Sequence, residues 1–267
     1  MISYKQNKQS KQKIKQCFDA AASTYNEAAF VQSQAGMELI KKLNKIKIIP
    51  NIIADIGSGT GYLAKQLVIE FSDSTVACVD FSENMLAEAR HYAEYKNISY
   101  INSDFDYLPF KSNSLDLICS NFALQWSLNL PQTFFELSRI LKAEGYLLFS
   151  TLGPSTLHEL RDCWKRIDAD SHVNHYSDLE SIKKHLEDNN IKIIEIESRI
   201  MTMYFSDIIN IMRNLKSVGA NYVIDKKSKS MMTPKKLELL AGYYENYRNS
   251  INLLPVSYEV IYVMGVK

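Results

Sequence analysis

DIGSGTGYL, residues Asp55 to Leu63, packs Gly57, Gly59 and Gly61 into five positions of a 267-residue chain that has only nine glycines. That concentration is a local demand: something must approach the backbone so closely that a Cβ would be in the way. The apolar run NIIAD before it predicts a buried strand, and GYLAKQLVIEF after it predicts a helix. A strand, a glycine turn and a helix place backbone N–H groups at the carboxyl edge of an open α/β sheet, where such folds take their ligands. The spacing is GxGxG, not the GxGxxG of dinucleotide folds, and a glycine pattern alone is a weak signal.

Working outward, strands and helices alternate. STVACVDFS, ISYINSDF, LDLICSNFALQW and YLLFSTLG read as strands. SENMLAEARHYAEY and PQTFFELSRILKAEG read as helices, the latter with Pro131 at its start and Gly145 past its end. This rhythm predicts βαβ units and a mostly parallel, doubly wound, Rossmann-like sheet with helices on both faces. After Gly153 the rhythm breaks. IKIIEIESRIMTMYF and LPVSYEVIYVMGVK are β-rich and predict an antiparallel C-terminal edge, giving seven strands in all. Between them lies a helical insertion of about 206–251, a detour long enough to suggest function. The expected organisation is a helical lid segment over 1–50 and one α/β domain over 51–267.

Three acids follow successive strands. Asp55 ends the first. Asp80 ends the second, 19 residues after Gly61, where a carboxylate can accept two hydrogen bonds from a ribose diol. Asp80 could instead cap the next helix, a position for which Ser82 competes. Asp104 follows the third strand, where it can accept from an exocyclic amine, and Phe105 beside it offers an aromatic face for a purine. Acids at the strand ends and no lysine in the loop suit a nucleoside carrying a cationic or zwitterionic group, not a triphosphate.

The net charge of +1 gives no field for nucleic acid. The first sixteen residues carry Lys5, Lys8, Lys11, Lys13 and Lys15 and no acid. They read either as a solvated, partly frayed end or as a landing strip for an acidic partner. The four cysteines form no CxxC, consistent with a reduced, cytoplasmic chain. No run is apolar enough for a secretory signal or a membrane span. His172 and His175 in HVNH lack a third ligand at metal spacing, so no metal is expected.

DIGSGTG, VDFSENML, SDFDYLPF, LDLICSNFALQW and LKAEGYLLFSTLG together resemble the class I S-adenosylmethionine-dependent methyltransferases over roughly 21–152. The resemblance implies S-adenosylmethionine as cofactor. Gly57, Gly59 and Gly61 would lie against it, Asp80 with Phe81 would hold the ribose, and Asp104 with Phe105 would frame the adenine. Asn121 would lie near the methionine amino end and the methyl, and Asp55 would order the loop and its water. Tyr25, the aromatic of STYNEAA ahead of the first strand, either closes over the bound cofactor or belongs to the core.

CFDAAASTYNEAA, TLGPSTLHEL and RNLKSVGA narrow the resemblance to the malonyl-[acyl-carrier-protein] O-methyltransferases of biotin synthesis. One departure is His175, where that family is expected to carry an arginine. The implied substrate is the free carboxylate of a malonyl thioester on acyl-carrier protein or coenzyme A. A carboxylate is ionised near pH 7, so no general base is assigned. Arg213 and Lys216, three apart on the insertion helix, are the candidates for the substrate carboxylate, with Arg161 and Arg166 behind them. Lys226, Lys227 and Lys229 would meet an acidic carrier. The competing readings are a methyltransferase of another small acid or quinone precursor, a methyltransferase-like respiratory-complex assembly factor, and a nucleotide-dependent oxidoreductase.

Overall fold

The computed structural model of the protein describes residues 4–92, 95–224 and 232–267. The glycine turn sits where its sequence requires. Strand β1 (Ile52–Ile56) leads through it into α3 (Tyr62–Glu70), after two helices, α1 (Tyr4–Ala28) and α2 (Phe30–Leu43). Then come β2 (Thr75–Asp80), α4 (Glu83–Tyr92), β3 (Ile98–Asn102), β4 (Leu115–Asn121), α5 (Leu130–Ile140) and β5 (Leu141–Leu152). The C-terminal part adds α6 (His158–Lys165), α7 (Leu179–Asp188), β6 (Lys192–Phe205), α8 (Ile208–Ser217), α9 (Pro234–Tyr244) and β7 (Leu254–Val266).

The seven strands form one sheet in the order β3-β2-β1-β4-β5-β7-β6. The first five are parallel, and β7 runs antiparallel to both its neighbours. The C-terminal strand is therefore antiparallel, as expected, but lies one place in from the edge, with β6 outside it. Alternate residues of each strand face opposite layers. Ile53 and Leu117 join a core with α2 and α3, whereas Ala54 and Ile118 join one with α5 and α7. Asp55 falls on the α2/α3 side, in register with Cys78 of β2 and Cys119 of β4.

Two local expectations change. Helix α5 stops at Ile140 rather than running to Gly145, because Leu141 is fully buried and pairs as a strand residue with Leu115. Gly145 lies inside β5, not past a helix end. From Tyr4 onward the lysine-rich N-terminal stretch belongs to α1, a helix that packs on α4 and α8. The basic run with Lys226, Lys227 and Lys229 lies outside the described residues.

Candidate active site

The glycine turn is tied down by β2. Gly57 and Ser58 both donate backbone N–H bonds to the Val79 carbonyl, at 2.7 and 3.0 Å. Gly57 has φ +71, and a Cβ on it would fall 2.1 Å from that of Ala123. At Gly59, φ +54, the same atom would meet nothing within 4 Å. Gly57 is thus a packing requirement, whereas Gly59 opens onto space. Asp80 secures that space: one carboxylate oxygen accepts from the Gly59 N–H and the other from the Ser82 N–H, both at 2.8 Å. Ser82 itself caps α4, accepting from the Met85 N–H. The helix-cap alternative therefore belongs to Ser82, and each Asp80 oxygen keeps a lone pair for a ligand.

Two cavities meet at this turn. The first, about 360 Å³, is lined by polar groups of the α1–α2 junction and the turn, among them Asn26, Gln32, Ser33, Thr60 and Lys65, with Asp55 and Gly61. The second is small, about 40 Å³, and lies under α1 between Phe18, Asp80, Phe81, Phe105 and Trp126. Tyr25, Gly57, Gly59 and Asn121 line both. A ligand with a polar amino-acid end and an aromatic nucleoside end would span the two, with its linking atom at those four residues.

Electrostatics agree with a ligand site. Both Asp55 oxygens are buried without a hydrogen-bond partner. Burial, only partly offset by the nearby Ala64 amide and reinforced by the charge of Asp80, pushes the Asp55 carboxyl up to about 7. Burial also pushes Asp80 up to about 6, against the Ser82 and Gly59 amides that favour its charged form. Burial raises the Tyr25 hydroxyl well above its usual value, so that group stays protonated and is no base at neutral pH. Asn121 is held between two partners. Its amide donates to the Gln32 carbonyl at 2.9 Å and its oxygen accepts from Ser150 at 2.6 Å.

Other candidates lie apart. Asp104 lines neither cavity. One of its oxygens pairs with the ammonium of Lys11 on α1, which also reaches Asp106 at 2.6 Å. Burial works against the Lys11 charge, but the two carboxylates outweigh it and raise the lysine's pKa. Arg213 and Lys216 are exposed on α8 and line none of the cavities described here. Arg161 donates to the Pro154 and Thr156 carbonyls, and Arg166 lies over the Tyr243 ring. His172 stacks on Trp164 and bonds to Asp168, which also holds Lys236 at 2.6 Å. His172, Asp168 and Asp170 offer ligand atoms within 4.8 Å of one another, but a lysine ammonium already occupies the shared carboxylate. His175 lines a separate cavity of about 190 Å³ beside Leu124 and Gln125. Sequence reasoning missed Lys11, Phe18, Thr60 and Trp126. Phe18, Thr60 and Trp126 each lay in a quoted motif without being given a role, and Lys11 was one of five N-terminal lysines that nothing set apart.

A methyltransferase-domain family matches residues 54–149. The chain is 33% identical over 259 residues to a malonyl-[acyl-carrier protein] O-methyltransferase of Gallionella capsiferriformans, covering 94% of this chain and 89% of that one. The chain belongs to the malonyl-[acyl-carrier protein] O-methyltransferase family. It is also 31% identical over 265 residues to the biotin biosynthesis bifunctional protein BioHC of Teredinibacter turnerae, covering 96% of this chain and 46% of that longer one. The fold matches phosphoethanolamine N-methyltransferase 2 of Haemonchus contortus, solved in complex with S-adenosyl-L-methionine. The TM-score is 0.58 at 19% identity, covering 93% of this chain and 57% of that one. S-adenosylmethionine is the cofactor. The residues fit it: Gly59 leaves the space a Cβ would fill, and Asp55, whose buried carboxylate oxygens are unpaired, lines the polar cavity.

Proposed function

We propose that this protein methylates the free carboxylate of a malonyl thioester borne by acyl-carrier protein, making the ester that enters biotin synthesis. The carrying observation is the whole-length likeness to a malonyl-[acyl-carrier protein] O-methyltransferase. The two cavities that meet at Tyr25, Gly57, Gly59 and Asn121 support it. When bound, S-adenosylmethionine supplies a methyl on a sulfonium and departs as the neutral thioether.

The protein's own contribution is position. Asp80 receives the ribose diol, Phe81 and Phe105 flank the nucleoside, and the polar cavity holds the amino-acid end. Asp104 becomes available to the adenine amine once Lys11 releases it. Tyr25 roofs the junction and excludes water, which strengthens attraction between the substrate anion and the sulfonium. The attacking carboxylate needs no base, so no residue moves a proton. The carboxylate oxygen must be held about 3 Å from the methyl and in line with the leaving sulfur. Arg213 and Lys216 are assigned to draw the carboxylate in from the α8 side.

Malonyl-carrier protein incubated with this protein and S-adenosylmethionine should gain one methyl, about 14 Da by mass spectrometry, lost again on alkaline hydrolysis. A carrier of unchanged mass would overturn the assignment. Arg213→Ala should slow methyl transfer while leaving cofactor affinity nearly intact. Transfer at the wild-type rate would move the carboxylate site elsewhere.

A further inference from the structure

A larger chamber lies on the far side of α1 from the cofactor cavities. Its volume is about 410 Å³, within the range of small-molecule sites. Its walls are mainly apolar: Leu160 and Trp164 of α6, Met212 and Leu215 of α8, and Ala220. Asn174 stiffens the wall, donating to the Tyr222 carbonyl at 2.9 Å and accepting from the Ile224 N–H at 2.8 Å.

Its rim carries a cation. Lys13 of α1 is exposed, lies 5.9 Å from the centre of the Tyr222 ring, and has no carboxylate partner among the described residues. Lys11 and Lys15, its neighbours along α1, are both paired with acids. Phe18 stands between this chamber and the cofactor site. Its ring meets Trp126 edge-on at 5.3 Å, inside the nucleoside cavity. On its other side it packs against Gly219, where a Cβ would lie 2.8 Å from the ring. Gly219 adjoins Ala220 of the chamber wall.

We propose that this chamber takes the phosphopantetheine arm of the acyl thioester. The proposal rests on the malonyl-thioester reading above. The arm is narrow, built of methylenes and amides, and ends in a phosphate. A mostly apolar chamber with the Lys13 ammonium at its mouth suits it. Lys13 meets the phosphate as a point charge, and the thioester end passes Phe18 towards the methyl. Acyl-carrier protein and coenzyme A carry the same arm, so the chamber serves either source.

The test fills the chamber. Ala220→Leu is expected to raise KM for malonyl-carrier protein and malonyl-coenzyme A alike, by about tenfold. It should leave kcat/KM for malonyl-N-acetylcysteamine, which lacks the distal arm, within about twofold, since only an interaction with the missing part is lost. Binding of 4′-phosphopantetheine, followed by calorimetry, should disappear in Ala220→Leu and weaken in Lys13→Met, most at low salt. Cofactor affinity, unchanged in each variant, reports that the fold is intact. If Ala220→Leu fails that check, Met212→Trp fills the same space from α8. Equal effects on short and long thioesters, no effect on either, or a loss confined to the carrier protein would each overturn the proposal. If the wild-type protein methylates no malonyl thioester, the proposed function falls, yet phosphopantetheine binding to the open and filled chambers still decides this one.

Discussion

Asp55 and Asp80 end neighbouring parallel strands, and burial raises both carboxyls, to about 7 and about 6. For Asp55 the folded value lies far above the ordinary carboxylate value of about 3.9. The folded chain therefore binds that proton more tightly than the unfolded chain. The stabilisation is greatest below about pH 4 and is lost as pH rises towards 7. Asp55→Asn should accordingly raise the Tm of the cofactor-free protein more at pH 8 than at pH 5. A Tm difference independent of pH would mean Asp55 does not titrate in this window. On the proposed ribose role, Asp80 must be ionised to accept the hydroxyls at full strength, so cofactor affinity should fall as pH drops through 6. Asp80→Asn should flatten that dependence, and any slope that remains belongs to Asp55. These residues were legible in the sequence because a glycine turn and strand-end acids are local features. Lys11 and Lys13 were not, since nothing local distinguishes five lysines on one helix. Only the packing of α1 decides which meets Asp104 and which stays unpaired.

Helix α1 acts as a strap across the site. Lys11 holds Asp104 and Asp106 near one end, Asp19 accepts from Ser82 at 2.5 Å, and Asn26 accepts from Thr60 at 2.5 Å near the other. Under it the nucleoside cavity, about 40 Å³, is room for a few waters at about 10–15 Å³ each and far below the roughly 300 Å³ of a small-molecule site. The strap must therefore lift before a nucleoside enters, and the Lys11 pairing opposes that. Lys11→Met keeps the stem and removes the charge. It should speed S-adenosylhomocysteine association and weaken its dependence on salt. Trp126 lines the cavity and provides a fluorescence signal for stopped flow. An unchanged rate would place the slow step elsewhere. The elements themselves were largely legible from hydrophobic rhythm and helix-start residues, as with Pro131 at the start of α5. The end of that helix was not, because Gly145 imitates a helix stop while the burial of Leu141 sets the true boundary.

At the scale of the whole molecule, the proposed cofactor cavities lie between α1 and the sheet edge, and α1 in turn touches α8. Thr24 and Ala28 of α1 already meet Ser217 and Asn214 of α8. A ligand at a hundred times its Kd stabilises the folded state by about 2.7 kcal/mol. For a chain of this size each such kcal/mol raises Tm by about 2–4 °C, so saturating S-adenosylhomocysteine should raise it by about 5–10 °C. A shift well below that at confirmed saturation would mean that binding loosens part of the structure it joins. Among the described residues no helix is long and apolar enough to cross a membrane. The seven-stranded plan was legible from the alternation of runs. The place of β7 was not, because a sequence pattern does not say which of two late strands lies outside.

That placement has a consequence for the order in which the chain is made. Among the described residues strand β6 pairs with β7 and with no other strand, through a ladder running from Lys192 opposite Val266 to Phe205 opposite Leu254. On the ribosome β6 emerges about fifty residues before its partner. During that interval β5 and β6 both present bare hydrogen-bonding edges, with the gap for one strand between them. A nascent chain halted before Leu254 thus exposes two templates for foreign strands, a known route to aggregation. The thirteen residues of β7 close both at once, so the exposure lasts until they have emerged and paired.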